Sequence, residues 1–232
     1  MTPDIDITME HIQDKDYTSG ELLTDEDIKA SGFYLVVKRL FDIVFSLAGM
    51  VALSWLFLLI SIAIFVDDPH GSPFYSQTRV GKDGRIFRLW KFRSMVIGAD
   101  EMIGDLQKQN EKDGPVFKIK DDPRITRVGK FLRKTSIDEL PQFWNVLKGD
   151  MSLVGPRPPL PSEVKKYNDY QRQRLTITPG LTCYWQTMPQ RDNIGFDEWV
   201  ALDLKYIRNR SFLEDIKLIL RTVAVVFTGQ GN

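Results

Sequence analysis

Residues 43–66 (IVFSLAGMVALSWLFLLISIAIFV) are 24 consecutive positions without a charged side chain, and nothing else in the sequence limits the fold so strongly. As one helix they would extend about 36 Å at 1.5 Å per residue, against roughly 30 Å of bilayer hydrocarbon. A helix of this length inside a soluble domain normally keeps a polar face, and this run has none. Its length and its late start also argue against a cleaved signal peptide. The segment is therefore expected in a membrane. Flanking charge does not orient it: Lys29, Lys38 and Arg39 precede it and Arg79, Lys82 and Arg85 follow, so the positive-inside rule returns a tie. A segment that enters and leaves by one face would show the same tie.

The net charge of zero conceals an asymmetry. Residues 1–30 hold nine acids against Lys15 and Lys29, a balance of −7 that leaves +7 on residues 31–232. The body is thus suited to an anionic partner such as phosphate, nucleotide or acidic lipid. The acidic leader, residues 1–31, has too few large apolar residues to bury a core and reads as mostly disordered. One cysteine (Cys183) and two histidines (His11, His70) argue against a disulfide, structural zinc, a Cys–His nucleophile or a Ser–His–Asp triad. Chemistry is left to carboxylates, lysine, arginine or a bound cation.

Beyond the apolar run, 74–78 and 85–95 read as strands of a hairpin around Gly81-Lys82-Asp83-Gly84. Residues 97–112 are polar and helix-compatible, and helices are expected over 124–134, 136–148, 162–175, 196–208 and 213–227. The last has an apolar face that suits a core or a membrane surface. The architecture is α+β and mainly helical: a tail over 1–31, a membrane-embedded helix over 32–67, and a compact catalytic domain over 68–232.

Thr135-Ser136-Ile137-Asp138-Glu139-Leu140-Pro141 supports two readings. Ser136 with Glu139 three positions on is the pattern of a capping box, which needs no catalytic duty. The same place is also a helix N-terminus, where phosphate binds, and carboxylates form acyl phosphates. Arg124, Arg127, Lys130, Arg133 and Lys134 could lessen the repulsion between carboxylate and phosphate, or form a solvated basic face. Arg157 stands between Pro156 and Pro158, held at low entropic cost and suited to bidentate phosphate recognition. In 85–95 (RIFRLWKFRSM) basic and aromatic residues interleave, as at lipid headgroups or nucleic acids; the neutral total argues against nucleic acid.

In order, the chain contains Lys38-Arg39-Leu40-Phe41-Asp42, Gln77-Thr78-Arg79-Val80-Gly81, Lys91-Phe92-Arg93-Ser94-Met95, Asp138-Glu139-Leu140-Pro141-Gln142, Gly149-Asp150-Met151-Ser152, Gly155-Pro156-Arg157-Pro158 and Pro179-Gly180-Leu181-Thr182. Over residues 36–227 this series resembles the monotopic phosphoglycosyl transferases, or bacterial sugar transferases. The resemblance implies that Asp138 attacks the β-phosphorus of a UDP-sugar, releasing UMP, and that undecaprenyl phosphate then takes the phosphosugar. It implies Mg2+ near Asp138, Glu139 as the second member of an acidic dyad, and substrate or phosphate contacts from Lys91, Arg157, Arg191 and Asp203. It further implies a bacterial inner-membrane enzyme, with its catalytic domain on the cytoplasmic face, that starts exopolysaccharide, capsule or glycan assembly. The family's membrane helix is re-entrant, broken at a Ser-Pro pair. Here the pair is Ser54-Trp55, so a bend must come from Ser54, Gly49 or packing.

Overall fold

The computed structural model describes residues 22–111, 113–117, 119, 121–188 and 194–228. The chain opens with a short helix, α1 (Asp25–Ile28), capped by Thr24, whose side chain and that of Asp27 exchange bonds with each other's backbone. The last residues of the acidic leader thus include one helical turn, while residues 1–21 lie outside the described residues. Leu23 packs on the main core, and Arg210 donates to the Ile28 carbonyl.

The apolar run is two helices, α2 (Gly32–Ala52) and α3 (Ser54–Asp67), meeting at 60° across Leu53. Among the described residues no single helix is long and apolar enough to cross a membrane, but this bent pair together is. No proline causes the bend, and Ser54 makes no side-chain hydrogen bond that would explain it. The two arms instead pack on different parts of the domain. On α2, Gly49 lies so close to Phe143 that a Cβ there would come within 3.1 Å of the ring. On α3, Ile60 and Ile64 join Phe92 and Leu132 in a second apolar cluster. Away from the domain, Val51, Trp55, Leu58, Ile62 and Phe65 are exposed.

Both arms are tied to the domain by polar bonds. Lys38 pairs with Asp215 at 2.8 Å. Arg39 donates to the Val146 and Leu147 carbonyls at 2.6 and 2.7 Å. Asp42 accepts from the Leu153 amide at 3.0 Å. At the far end, Asp67 accepts from the Val128 amide at 3.2 Å, and Asp68 meets Arg93 at 3.4 Å. Lys38 and Arg39, counted above as flanking charges, act as fasteners.

The hairpin forms as expected: β1 (Phe74–Val80) and β2 (Ile86–Phe92) pair antiparallel from Phe74↔Phe92 to Val80↔Ile86. The helix-compatible segment after the hairpin forms α4 (Ile103–Leu106) and one 3-10 turn, and Gly98 before them sits at φ +78°. After α5 (Arg127–Lys134), the helix expected over 136–148 is divided into a 3-10 turn (Ile137–Glu139) and α6 (Gln142–Lys148), with Pro141 between them. Strand β3 (Ser152–Val154) follows. The expected 162–175 helix splits into α7 (Pro161–Val164) and α8 (Asp169–Arg172), because Asn168 and Gln171 close a capping box that starts the chain afresh. Strand β4 (Gly180–Thr182) lies parallel to β3, a pairing absent from the sequence reading. Helices α9 (Phe196–Asn209) and α10 (Phe212–Thr228) complete the chain. The core gathers Val200, Leu204, Tyr206 and Ile207 of α9 against β3, with Leu218 of α10 and Phe87 and Leu89 of the hairpin.

Candidate active site

The Asp138 region departs from a capping box. Ser136 adopts the left-handed region (φ +56°), and its side chain caps nothing. Glu139 reaches outward to Lys91 of β2, with Nζ to Oε1 at 2.6 Å. A non-glycine residue held at positive φ costs on the order of 1 kcal/mol and is found where surrounding structure over-determines it. Here Ile137 and Leu140 pack on the Ile60–Phe92 cluster, which fixes the turn from the side of α3. The alternative of a plain helix cap is set aside by this geometry.

Asp138 itself is 5% exposed, and among the described residues its carboxylate makes no hydrogen bond. Burial raises its pKa above the ordinary carboxylate range; Lys91 opposes this and Glu139 reinforces it, while Arg133 and Arg157 favour the charged form. Of the five basic residues between Arg124 and Lys134, Arg133 is thus the one counted among the main charges on Asp138. Arg124 turns away to Asp122 and the Ala99 carbonyl. Arg127 is exposed at the end of α3.

Beside the turn lies a shallow, open depression whose walls include Arg79, Lys91, Glu139, Gln142, Arg157 and Gln186. Asp138 does not line it. The pocket brings together three cations, on β1, β2 and the proline-rich loop after β3. Arg79 is 7% exposed, and burial together with the adjacent Arg157 charge lowers its pKa to about 10. Such an environment favours an arriving anion.

Of the residues singled out in the sequence, Lys91, Asp138, Glu139 and Arg157 come together. Asp203 is fully buried in α9 and pairs with Arg174. Arg191 lies outside the described residues. Two buried arginines at the site carried no functional assignment from sequence: Arg79, which stood as a flanking charge and within a motif, and Arg174, within the helix expected over 162–175. Strand and helix arginines are ordinarily solvated, so no local signal distinguishes these two.

Among the described residues no three His, Cys, Asp or Glu side chains gather as a metal-binding group. Mg2+ commonly takes one or two carboxylates and fills its other positions with water and substrate phosphate. An Asp138 carboxylate free of hydrogen bonds, next to Glu139, fits that donor requirement.

Asp138 is thus a buried carboxylate among the charges of Lys91, Arg133 and Arg157, on a domain fastened to a bent apolar helix pair. The bacterial sugar transferase family model matches residues 33–229, and the chain belongs to that family. The galactosyl transferase CpsE of Streptococcus agalactiae is 48% identical over 198 residues, 85% of this chain and 44% of that protein. The undecaprenyl-phosphate galactose phosphotransferase of Salmonella typhimurium is 41% identical over 202 residues, 84% of this chain and 41% of that protein. The exopolysaccharide production protein ExoY of Sinorhizobium fredii is 37% identical over 201 residues, 85% of this chain and 88% of that protein. The chain therefore spans less than half the length of the first two relatives and most of the third.

Proposed function

We propose that the chain transfers a phosphosugar from a UDP-sugar to undecaprenyl phosphate, giving undecaprenyl-diphosphate-sugar and UMP, at the start of exopolysaccharide or capsule assembly. The names of the relatives support the reaction class. The observation that carries it is Asp138: buried, without hydrogen bonds, and surrounded by Lys91, Arg133 and Arg157.

In the first step an Asp138 carboxylate oxygen attacks the β-phosphorus. The bond from that phosphorus to the bridging oxygen breaks, and UMP leaves with the bridging electron pair. Arg157 and Lys91 hold the donor's phosphate oxygens and neutralise charge that accumulates as the two anions meet. In the second step a phosphate oxygen of the lipid acceptor attacks the same phosphorus, the aspartyl–phosphorus bond breaks, and the carboxylate is restored. Glu139, held by Lys91, supports the dyad by keeping that lysine beside Asp138. Magnesium, when bound at Asp138, would shield diphosphate charge.

The bent pair supports a re-entrant placement in the bacterial inner membrane. Lys38, Arg39 and Asp42 on one arm and Asp67 and Asp68 on the other all meet the same domain, which supports putting both ends of the pair on one side of the bilayer. We place that side in the cytoplasm, where UDP-sugars are made.

Asp138→Asn should abolish UMP release, by at least about 10³-fold, in protein that still folds. Mass spectrometry of donor-treated wild type should show one phosphosugar on Asp138, and continued turnover by the variant would sink the covalent mechanism. A cysteine placed at Thr8 in a Cys183→Ser background should resist impermeant reagents in intact cells; labelling from outside would exclude the re-entrant form.

A further inference from the structure

The loop presenting Arg157 lacks the means to hold itself. In Gly155-Pro156-Arg157-Pro158-Pro159 three of five residues have no backbone N–H, so the loop makes few bonds of its own and its carbonyls need outside donors. Four consecutive carbonyls find them. Those of Pro156 and Pro159 accept from the Gly180 and Val80 amides, each at 2.9 Å. Those of Arg157 and Pro158, on the two successive peptides that follow the Arg157 side chain, accept from arginine side chains: Arg174 Nη2 at 3.3 Å and Arg79 Nη1 at 3.0 Å.

Both donors are buried, Arg79 at 7% and Arg174 at 4% exposure, and both are fixed by further partners. Arg79 donates its other terminal nitrogen to Gln77 Oε1 at 2.6 Å. Arg174 donates to the Tyr167 hydroxyl at 3.0 Å and to the Asp203 carboxylate. Arg79 has no carboxylate among its hydrogen-bond partners, and its Nε is buried without one. Burying a guanidinium in this state costs several kcal/mol of hydration. Breaches of this kind concentrate at functional sites.

We propose that Arg79 and Arg174 are positioning residues that hold the main chain around Arg157, so that its guanidinium meets the donor's phosphate. Asp203 then acts through Arg174 and does not touch substrate. This rests on the reading of Arg157 as a phosphate-contacting residue.

The test is a double-mutant cycle on UDP binding, measured by calorimetry on the full chain in detergent. Arg79→Gln should weaken UDP about tenfold when Arg157 is present, and less than about twofold in an Arg157→Gln background, because coupled residues lose their shared effect once. Asp203→Asn should show the same coupling to Arg157. If Arg79→Gln does not fold, Arg79→Lys replaces it in the same cycle; a single amine cannot span both the Pro158 carbonyl and Gln77. A residue of merely structural importance would lower thermal stability but leave losses that multiply across the two backgrounds. Multiplying losses, an unchanged Kd in the Arg79 variants, or no UDP binding by wild type would each overturn the proposal. Coupling without UMP release by wild type would sink the transfer reaction and leave the clamp standing. Multiplying losses with normal turnover would do the reverse.

Discussion

The two short sheets supply the same pocket by opposite means. The β1–β2 hairpin pairs seven residues with seven across one tight turn and contributes Arg79 and Lys91. The β3–β4 pair joins segments some 25 residues apart through only two registered partners, Ser152↔Gly180 and Val154↔Thr182, and delivers Arg157 from its end. In the hairpin, Asp83 and Gly84 turn the chain at φ 54° and 79° into open space. In the parallel pair, a Cβ on Gly180 would fall 2.1 Å from the Gly155 nitrogen and 2.5 Å from the Val154 carbonyl carbon. The first sheet is set by its own turn, the second by backbone pressed on backbone.

That contrast breaks most severely at Gly180. Gly180→Ala should cost more than about 4 kcal/mol or leave no folded protein, since neither strand can yield without losing the loop that holds Arg157. Urea unfolding would measure it, and a loss below about 1 kcal/mol would mean the strands separate freely. Next comes the link between hairpin and domain. Asn145 of α6 is fully buried, accepts from the Trp90 amide at 3.0 Å and donates to the Arg88 carbonyl at 2.7 Å, as a neighbouring strand would. Asn145→Ala strands both groups and should cost about 2–3 kcal/mol in the same assay. A neutral result would show that the hairpin stands without its dock.

Between the two sheets, Asp138 offers a test of opposite sign. Its folded-state pKa is raised by burial, so its contribution to stability is present below the unfolded pKa and lost as pH rises through the folded value. Asp138→Asn should therefore be more stable than the parent at pH 7 by about 1 kcal/mol, a typical gain for such a substitution. The difference in melting temperature should shrink to nothing as pH falls below about 4. A constant difference would show that the carboxylate is not disfavoured by the fold. Smallest is Gly84→Ala, where nothing lies within 4 Å and only positive φ is at stake; a loss of about 1 kcal/mol is expected, with UDP binding unchanged.

What could be read from residues alone was what neighbours decide among themselves. The hairpin was legible because its turn and strands are contiguous. Asp138-Glu139, Lys91 and Arg157, which the fold brings near one another, stood out because their motifs are short. Ser136 misled for the same reason: its spacing to Glu139 is right for a capping box, but Lys91, 48 positions from Glu139 in sequence, takes the carboxylate. Arg174 was hidden among Lys165, Lys166 and Arg172, and only burial sets it apart.

The sequence by itself determined an apolar run of bilayer length, an acidic leader and the order of the motifs, because each depends on composition over a short window. Tertiary structure alone decided that the run bends at Leu53, that its two ends meet one domain, and that Arg79 and Arg174 flank Arg157. Those outcomes depend on partners such as Arg39 with Val146, Asp42 with Leu153 and Arg79 with Pro158, each pair separated by 79 to 111 positions. Desolvation and hydrogen-bond geometry act through space, and no window along the chain contains both members of such a pair.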